Sequence, residues 1–84
     1  MGTTSSTNEL ILKQVGEELD QAESKFGPFN SGHEGFAVIL EELDELWHEI
    51  KNNKDAGSVR RQRKEAIQVA AMACRFVKML DDEE

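Results

Sequence analysis

The chain has 84 residues and a mass of 9.5 kDa, with 17 acidic side chains against 10 basic ones and a formal net charge of −7. One small domain fits this length and a second does not, while the acidic balance excludes non-specific binding to a nucleic-acid polymer or an anionic membrane surface. With 38% hydrophobic and 32% charged residues the composition is neither that of a disordered chain nor that of a membrane span.

A chain this short buries only roughly 60–65% of its unfolded surface, so its core is thin and a partner subunit is expected. No apolar run approaches the ~18 residues of a membrane helix, and no basic-then-apolar leader opens the sequence, so no signal peptide is expected. The single cysteine, Cys74, forms no internal disulfide and suits a cytoplasmic location.

The residue types favour helix throughout: tyrosine is absent, Pro28 is the only proline, and no period-two apolar alternation persists. Residues 1–7 are small and polar and read as a flexible tail. A first helix is predicted from about Asn8 to Lys25, with Thr7 as N-cap and Leu10, Ile11, Val15, Leu19 and Ala22 as its apolar stripe. Gly27-Pro28 ends it, because glycine accepts a left-handed turn and proline disfavours helix in the residue before it.

Ser31-Gly32-His33-Glu34 matches a capping box and opens a second helix that ends among Lys51–Lys54. Its Phe36, Ile39, Leu40, Leu43, Leu46, Trp47 and Ile50 fall within an arc of about 120° at ~100° per residue and read as a core face. A third helix is predicted from near Ser58 to about Leu80, with Ala66, Val69, Ala70, Ala73, Phe76, Val77 and Leu80 buried and Met72 filling gaps. Residues 81–84 are all acidic, which is unfavourable at the negative end of a helix dipole, and read as a frayed tail. The expected fold is therefore all-α: one helical domain over 8–80, with three antiparallel helices that complete a four-helix-type bundle through oligomerisation.

Between Glu34 and Glu49 the second helix carries Glu34, Glu41, Glu42, Asp44, Glu45 and Glu49 and neither lysine nor arginine. Glu41–Glu45 and Glu45–Glu49 are one turn apart, where like charges cost about 0.2–0.5 kcal/mol per pair on an exposed helix. Such a face is either a solvated surface or a ligand set for a hard divalent cation such as Mg²⁺ or Mn²⁺, which takes oxygen ligands and cancels the repulsion. Val38, in the middle of the acidic arc, argues that the helix is covered on both sides, with carboxylates lining a cleft. Glu65, beside the apolar stripe of the third helix, needs a partner of its own.

Arg60, Arg61, Arg63 and Lys64 crowd the N-terminal turns of the third helix, where the dipole disfavours positive charge. Either ion pairs with the second helix or the Glu17/Glu18 region offset them, or some of them face a bound phosphate. Asn30 and His33 precede the second helix, where free N–H groups receive an anion or a base edge, or serve simply as turn and cap. Trp47 and Phe36 could stack on a base but lie on the core stripe, and Cys74 reads as a small buried hydrophobe. Glu45-x-x-His48 has the spacing used in di-iron carboxylate bundles, although further inward carboxylates for such a site are ambiguous.

Glu41-Glu42-Leu43-Asp44-Glu45 fits an E-E-x-x-E motif, and Glu65-Ala66-Ile67-Gln68 stands on the third helix where an E-x-x-D would complete it. With the stretches 25–35 and 70–76, the chain resembles the MazG-type all-α nucleoside triphosphate pyrophosphohydrolases, relatives of the dimeric dUTPases, over about residues 10–80. The resemblance implies an enzyme that uses Mg²⁺ to cleave a nucleoside triphosphate into monophosphate and pyrophosphate; the oxygen ligands allow Mn²⁺ as a substitute, and the open side of three helices makes a homodimer or homotetramer the expected assembly. Carried over by position, Glu41, Glu42, Glu45 and Glu65 are the catalytic carboxylates and metal ligands. Gln68, in place of the expected aspartate, offers a neutral oxygen without charge. Arg61 and Lys64, from the charge anomaly rather than from a motif, and His33 and Asn30 are the candidate substrate-binding residues. A non-catalytic interaction or nucleotide-sensing module with a degenerate metal site is the alternative.

Overall fold

The computed structural model describes the backbone of residues 3–83 and the side chains of residues 7–83; Met1, Gly2 and Glu84, at the outer ends of the two expected tails, lie outside it. Among the described residues there are three helices and no strand: α1 (Thr3–Phe26), α2 (Gly32–Lys51) and α3 (Ser58–Glu83). Among these described residues no helix is long and apolar enough to cross a membrane.

The local signals act much as expected. Gly27 takes φ +68° and its N–H donates to the Glu23 carbonyl at 3.1 Å, closing α1. Ser31 is the N-cap of α2 and its hydroxyl accepts from the Glu34 N–H at 3.1 Å. The glutamate half of the box reaches one residue further than the motif prescribes: Glu34 Oε1 accepts from the Asn30 N–H at 2.7 Å.

Both outer helices exceed their predicted lengths. α1 starts at Thr3, so residues 3–7 are helical and Thr7 lies inside the helix instead of capping it; no glycine or proline interrupts that stretch. α3 continues through Asp81–Glu83, anchored by the buried Met79 and by Lys78, whose ammonium bonds Glu23 at 2.7 Å and feels the charge of Asp82 one turn on.

α3 packs against both neighbours, whereas α1 and α2 do not pack on each other. The molecule is thus a flat layer, 42 × 36 × 18 Å in its Cα dimensions, with α3 in the middle. Val15 and Ala22 of α1, Phe29 of the connecting loop, and Ala71, Met72 and Met79 of α3 form the buried core, with Leu19, Val38, Ile39, Ile67, Ala70, Cys74 and Phe76 packed around it.

The predicted core face of α2 is not the face that packs. Phe36, Leu40, Leu43, Trp47 and Ile50 are exposed, with Trp47 at 55%, and its only fully buried residue is Gly35. The helix is turned by roughly a quarter turn at ~100° per residue, so that Gly35, Val38, Ile39, Glu42, Leu46 and Glu49 face α3. Gly35 explains the rotation, because without a side chain it admits the Phe76 and Phe29 rings; a Cβ there would stand 2.6 Å from Phe76 Cδ2. On α3, Ala66, Ala73, Val77 and Leu80 are likewise exposed instead of buried, while Val69, Ala70 and Phe76 are half-buried. Leu10 and Ile11 of the α1 stripe are exposed as well.

Two glycine substitutions test this packing. Gly16→Ala, with open space around the new methyl, should stabilise by about 0.5–1 kcal/mol through helix propensity. Gly35→Ala gains the same propensity but overpacks the ring contact, which costs typically 1–3 kcal/mol, so denaturant unfolding should show a net loss. Stabilisation of equal size at both sites would show that the close approach at Gly35 does not set the packing.

Candidate metal centre

Two fixed points set the α2–α3 register: the Phe76 ring against Gly35, and Arg61 Nε on Glu49 Oε1 at 2.9 Å. Between them, Glu42 and Glu45 of α2 come level with Glu65 of α3. Oxygens of these three carboxylates lie within 4.8 Å of one another. Val38, the apolar residue inside the acidic arc, is half-buried against the core, so the acidic side of α2 is in part a covered side.

The electrostatics follow from that crowding. Burial, a side-chain hydrogen bond with Glu45 and the charges of Glu45, Glu65 and Glu41 push the Glu42 pKa up to about 7. Glu65 is also raised, by burial and then by Glu45, against a smaller opposing effect of Lys64. Glu65 Oε1 is buried with no hydrogen-bond partner, a deficit that ordinarily costs about 1–3 kcal/mol. Oxygen donors in this number, mutually repelling and one of them unsatisfied, fit a hard divalent cation of the Mg²⁺ or Mn²⁺ type. Glu42, Glu45 and Glu65 would hold it.

Glu41 stands outside this trio. With Glu42 and Gln68 it lines an adjoining cavity of about 510 Å³ between α1, the 27–31 loop, α2 and α3. Glu18, Gln21 and Ala22 form its α1 wall, and Phe26, Phe29, Asn30, Met72 and Arg75 line it further along. Asn30 therefore belongs to the cavity, its side-chain N–H₂ turned to Glu34 Oε2 at 3.4 Å. His33 is exposed and does not line it.

Arg61 follows the ion-pair reading instead of the phosphate one. Besides Glu49 it bonds Asp55 at 3.0 and 3.2 Å, which raises its own pKa and lowers that of Asp55, whose Oδ1 also accepts from the Gly57 N–H at 2.9 Å. Lys64 lines a second hollow of about 400 Å³ with Arg60, Arg63, Glu17 and Glu18, on the α1 side. Arg63 bonds Gln14 at 2.6 Å. His48 belongs to the end of α2, where Asn52 caps its carbonyl at 2.8 Å, and it is not part of the carboxylate trio.

The sequence reading missed Arg75. It is only 6% exposed, and its signal was present: a lone arginine three residues after Met72 and four before Met79, on one face of α3.

Comparison with family models, with curated proteins and with solved structures finds no match to this chain.

Glu42 makes stability depend on pH in a definite direction. Its folded pKa of about 7 lies above the ordinary 4.5, so its contribution is fully present below about pH 4.5 and is lost as pH rises through 7. Metal-free protein should unfold more readily at pH 8 than at pH 5, and Glu42→Gln should remove most of that difference by stabilising the chain at pH 8. An unchanged difference in the variant would place the titration elsewhere.

Proposed function

We propose that this chain is a Mg²⁺-dependent nucleoside triphosphate pyrophosphohydrolase of the MazG type, releasing a nucleoside monophosphate and pyrophosphate and working as a homo-oligomer. The observation that carries the reading is the pairing of the Glu42–Glu45–Glu65 cluster with a cavity that begins at Glu41, Glu42 and Gln68 and ends among Phe26, Phe29 and Arg75. A cation site beside a pocket with aromatic walls suits a ligand with a polyanion at one end and a planar ring at the other.

When bound, the cation supplies positive charge against phosphoryl oxygens and acidifies water. The chain's own residues do the rest. Glu42, Glu45 and Glu65 would hold the cation between α2 and α3. Glu41, outside the trio but on the same cavity wall, is free to accept the proton of the attacking water. Gln68 contributes a neutral oxygen and two N–H donors toward water or phosphate. The substrate-binding role moves from Arg61, occupied by Glu49 and Asp55, to residues of the cavity itself, Asn30 among them.

A second copy of the chain is the proposed cover for the exposed apolar face. Phe36, Leu40, Leu43, Trp47 and Ile50 on α2, with Val59, Val77 and Leu80 on α3, lie on the helix sides opposite the cavity-lining residues. Joining two such faces would put four helices around one apolar centre, with both cavities facing outward. The same face, taken with Gln68, also supports the second reading, an interaction module with a weakened metal site.

Pyrophosphate release from ribo- and deoxynucleoside triphosphates decides between them. The parent should turn over in Mg²⁺ and not in chelator, and Glu45→Ala should lose about 100-fold or more. Gln68→Asp should tighten Mg²⁺ binding by adding an anionic ligand. No release with Mg²⁺ or Mn²⁺ would leave the interaction module.

The oligomer has its own test. Sedimentation should find a dimer or tetramer, and Leu43→Glu should dissociate it by burying charge in the apolar interface. A parent that sediments as a monomer at all concentrations would remove the second copy.

A further inference from the structure

Arg75 is a guanidinium buried without a counter-charge among the described residues. Its Nη2 donates to the Gly27 carbonyl at 2.8 Å and its Nη1 to Met72 Sδ at 3.3 Å. Its plane rests 4.1 Å from the centre of the Phe29 ring, with Phe26 at 5.9 Å. Every one of these neighbours is electrically neutral, no carboxylate among the described residues pairs with it, and its buried Nε has no hydrogen-bond partner there. Only two of the five N–H donors of an arginine are thus used. A buried cation left in this condition is costly unless something else completes it.

What completes it is constrained by distance. Arg75 and Glu65 are ten residues apart on one helix, or about 15 Å at the α-helical rise. A polyphosphate chain is short compared with that span, so with the phosphates at the carboxylate end the group that reaches Arg75 is the base. The surroundings suit a base: Phe26, Pro28, Phe29 and Met72 give this end of the cavity flat apolar walls beside the polar Lys25, Asn30 and Glu34, and flat apolar walls favour a ring.

Resting on the pyrophosphohydrolase reading, we infer that the Arg75 end of the cavity is a nucleobase subsite selecting bases with two adjacent hydrogen-bond acceptors. Guanine offers O6 and N7, and cytosine offers N3 and O2. A guanidinium, which only donates, matches either pair. Adenine sets its N6 donor beside N7, and uracil sets its N3 donor between two carbonyls, so both meet an N–H with an N–H. Asn30 supports the choice: with its N–H₂ turned to Glu34, its amide oxygen is left to accept from the guanine or cytosine amino group.

The test needs no turnover. The full chain, in chelator, is titrated with the 5′-monophosphates of guanosine, cytidine, adenosine and uridine by calorimetry. Guanosine or cytidine monophosphate should bind at least tenfold more tightly than adenosine or uridine monophosphate, and the order of the first two identifies which acceptor pair is read. Arg75→Lys, which keeps the charge and loses the planar fork, should abolish the preference. Equal binding of all four, or binding of none, would overturn the subsite. So would displacement by inorganic pyrophosphate of bound guanosine or cytidine, which carry no phosphate to compete for elsewhere in the cavity, since the cation would then be an anion site; that competition uses the parent alone and holds even where Arg75→Lys does not fold. Base-selective binding without any pyrophosphate release would keep the subsite and remove the hydrolase, whereas hydrolysis with no base preference would do the reverse.

Discussion

The close approach at Gly35 fixes the rotation of α2, and most of what distinguishes this molecule follows from that rotation. A residue with no Cβ lets the Phe76 and Phe29 rings press against the helix backbone, which turns the seam between the apolar and acidic arcs of α2 toward α3. One consequence is that Glu42 becomes half-buried beside Glu65, and their pKa values rise. The other is that the most hydrophobic stripe of the chain is turned outward. A helix rotated to bury that stripe would gain apolar burial and would scatter the carboxylates into solvent, where their mutual repulsion would be screened and the cluster lost.

The cavity is polarised along its length. Glu41 and Glu42 line the cavity near Gln68 and the unpaired guanidinium of Arg75 lines it further along, with Glu18, Lys25 and Glu34 also on its walls. Among the described residues two buried polar atoms are orphaned, Glu65 Oε1 in the carboxylate cluster adjoining one end and Arg75 Nε at the other. Unsatisfied buried polar groups in a thin fold are destabilising, and their placement ten residues apart along α3 makes that helix both the core of the layer and the ruler of the site.

Much of this was legible in the sequence, and the part that was not has a physical cause. The serine cap, the left-handed glycine and the interhelical turns are set by neighbours within four residues, and they formed where the local chemistry placed them. Glu42, Glu45 and Glu65 belong to the set of four carboxylates that the motif resemblance implied, while Glu41, the fourth, stands outside the cluster. The buried faces were misjudged: helical periodicity identifies an apolar stripe and not what covers it, and a lone chain leaves the Phe36–Ile50 stripe without a cover. Arg61 was ambiguous for a similar reason, since its partners Glu49 and Asp55 are determined by the turn between helices. Arg75 went unread because an arginine among alanines and methionines is ordinarily assigned to the solvent side of a helix.

The attachment of α1 to α3 alone gives the layer an uneven cohesion. Detaching α1 would break one helix–helix seam and leave the α2–α3 pair, with its carboxylate cluster, intact; detaching either of the others would take the cluster apart. Sub-global opening is therefore least costly along the α1 seam, with the left-handed Gly27 as the natural pivot. Since Glu18, Gln21 and Ala22 wall the cavity from that side, amide exchange in α1 reports how often the cavity stands open, while amides in the middle of α3 report global unfolding.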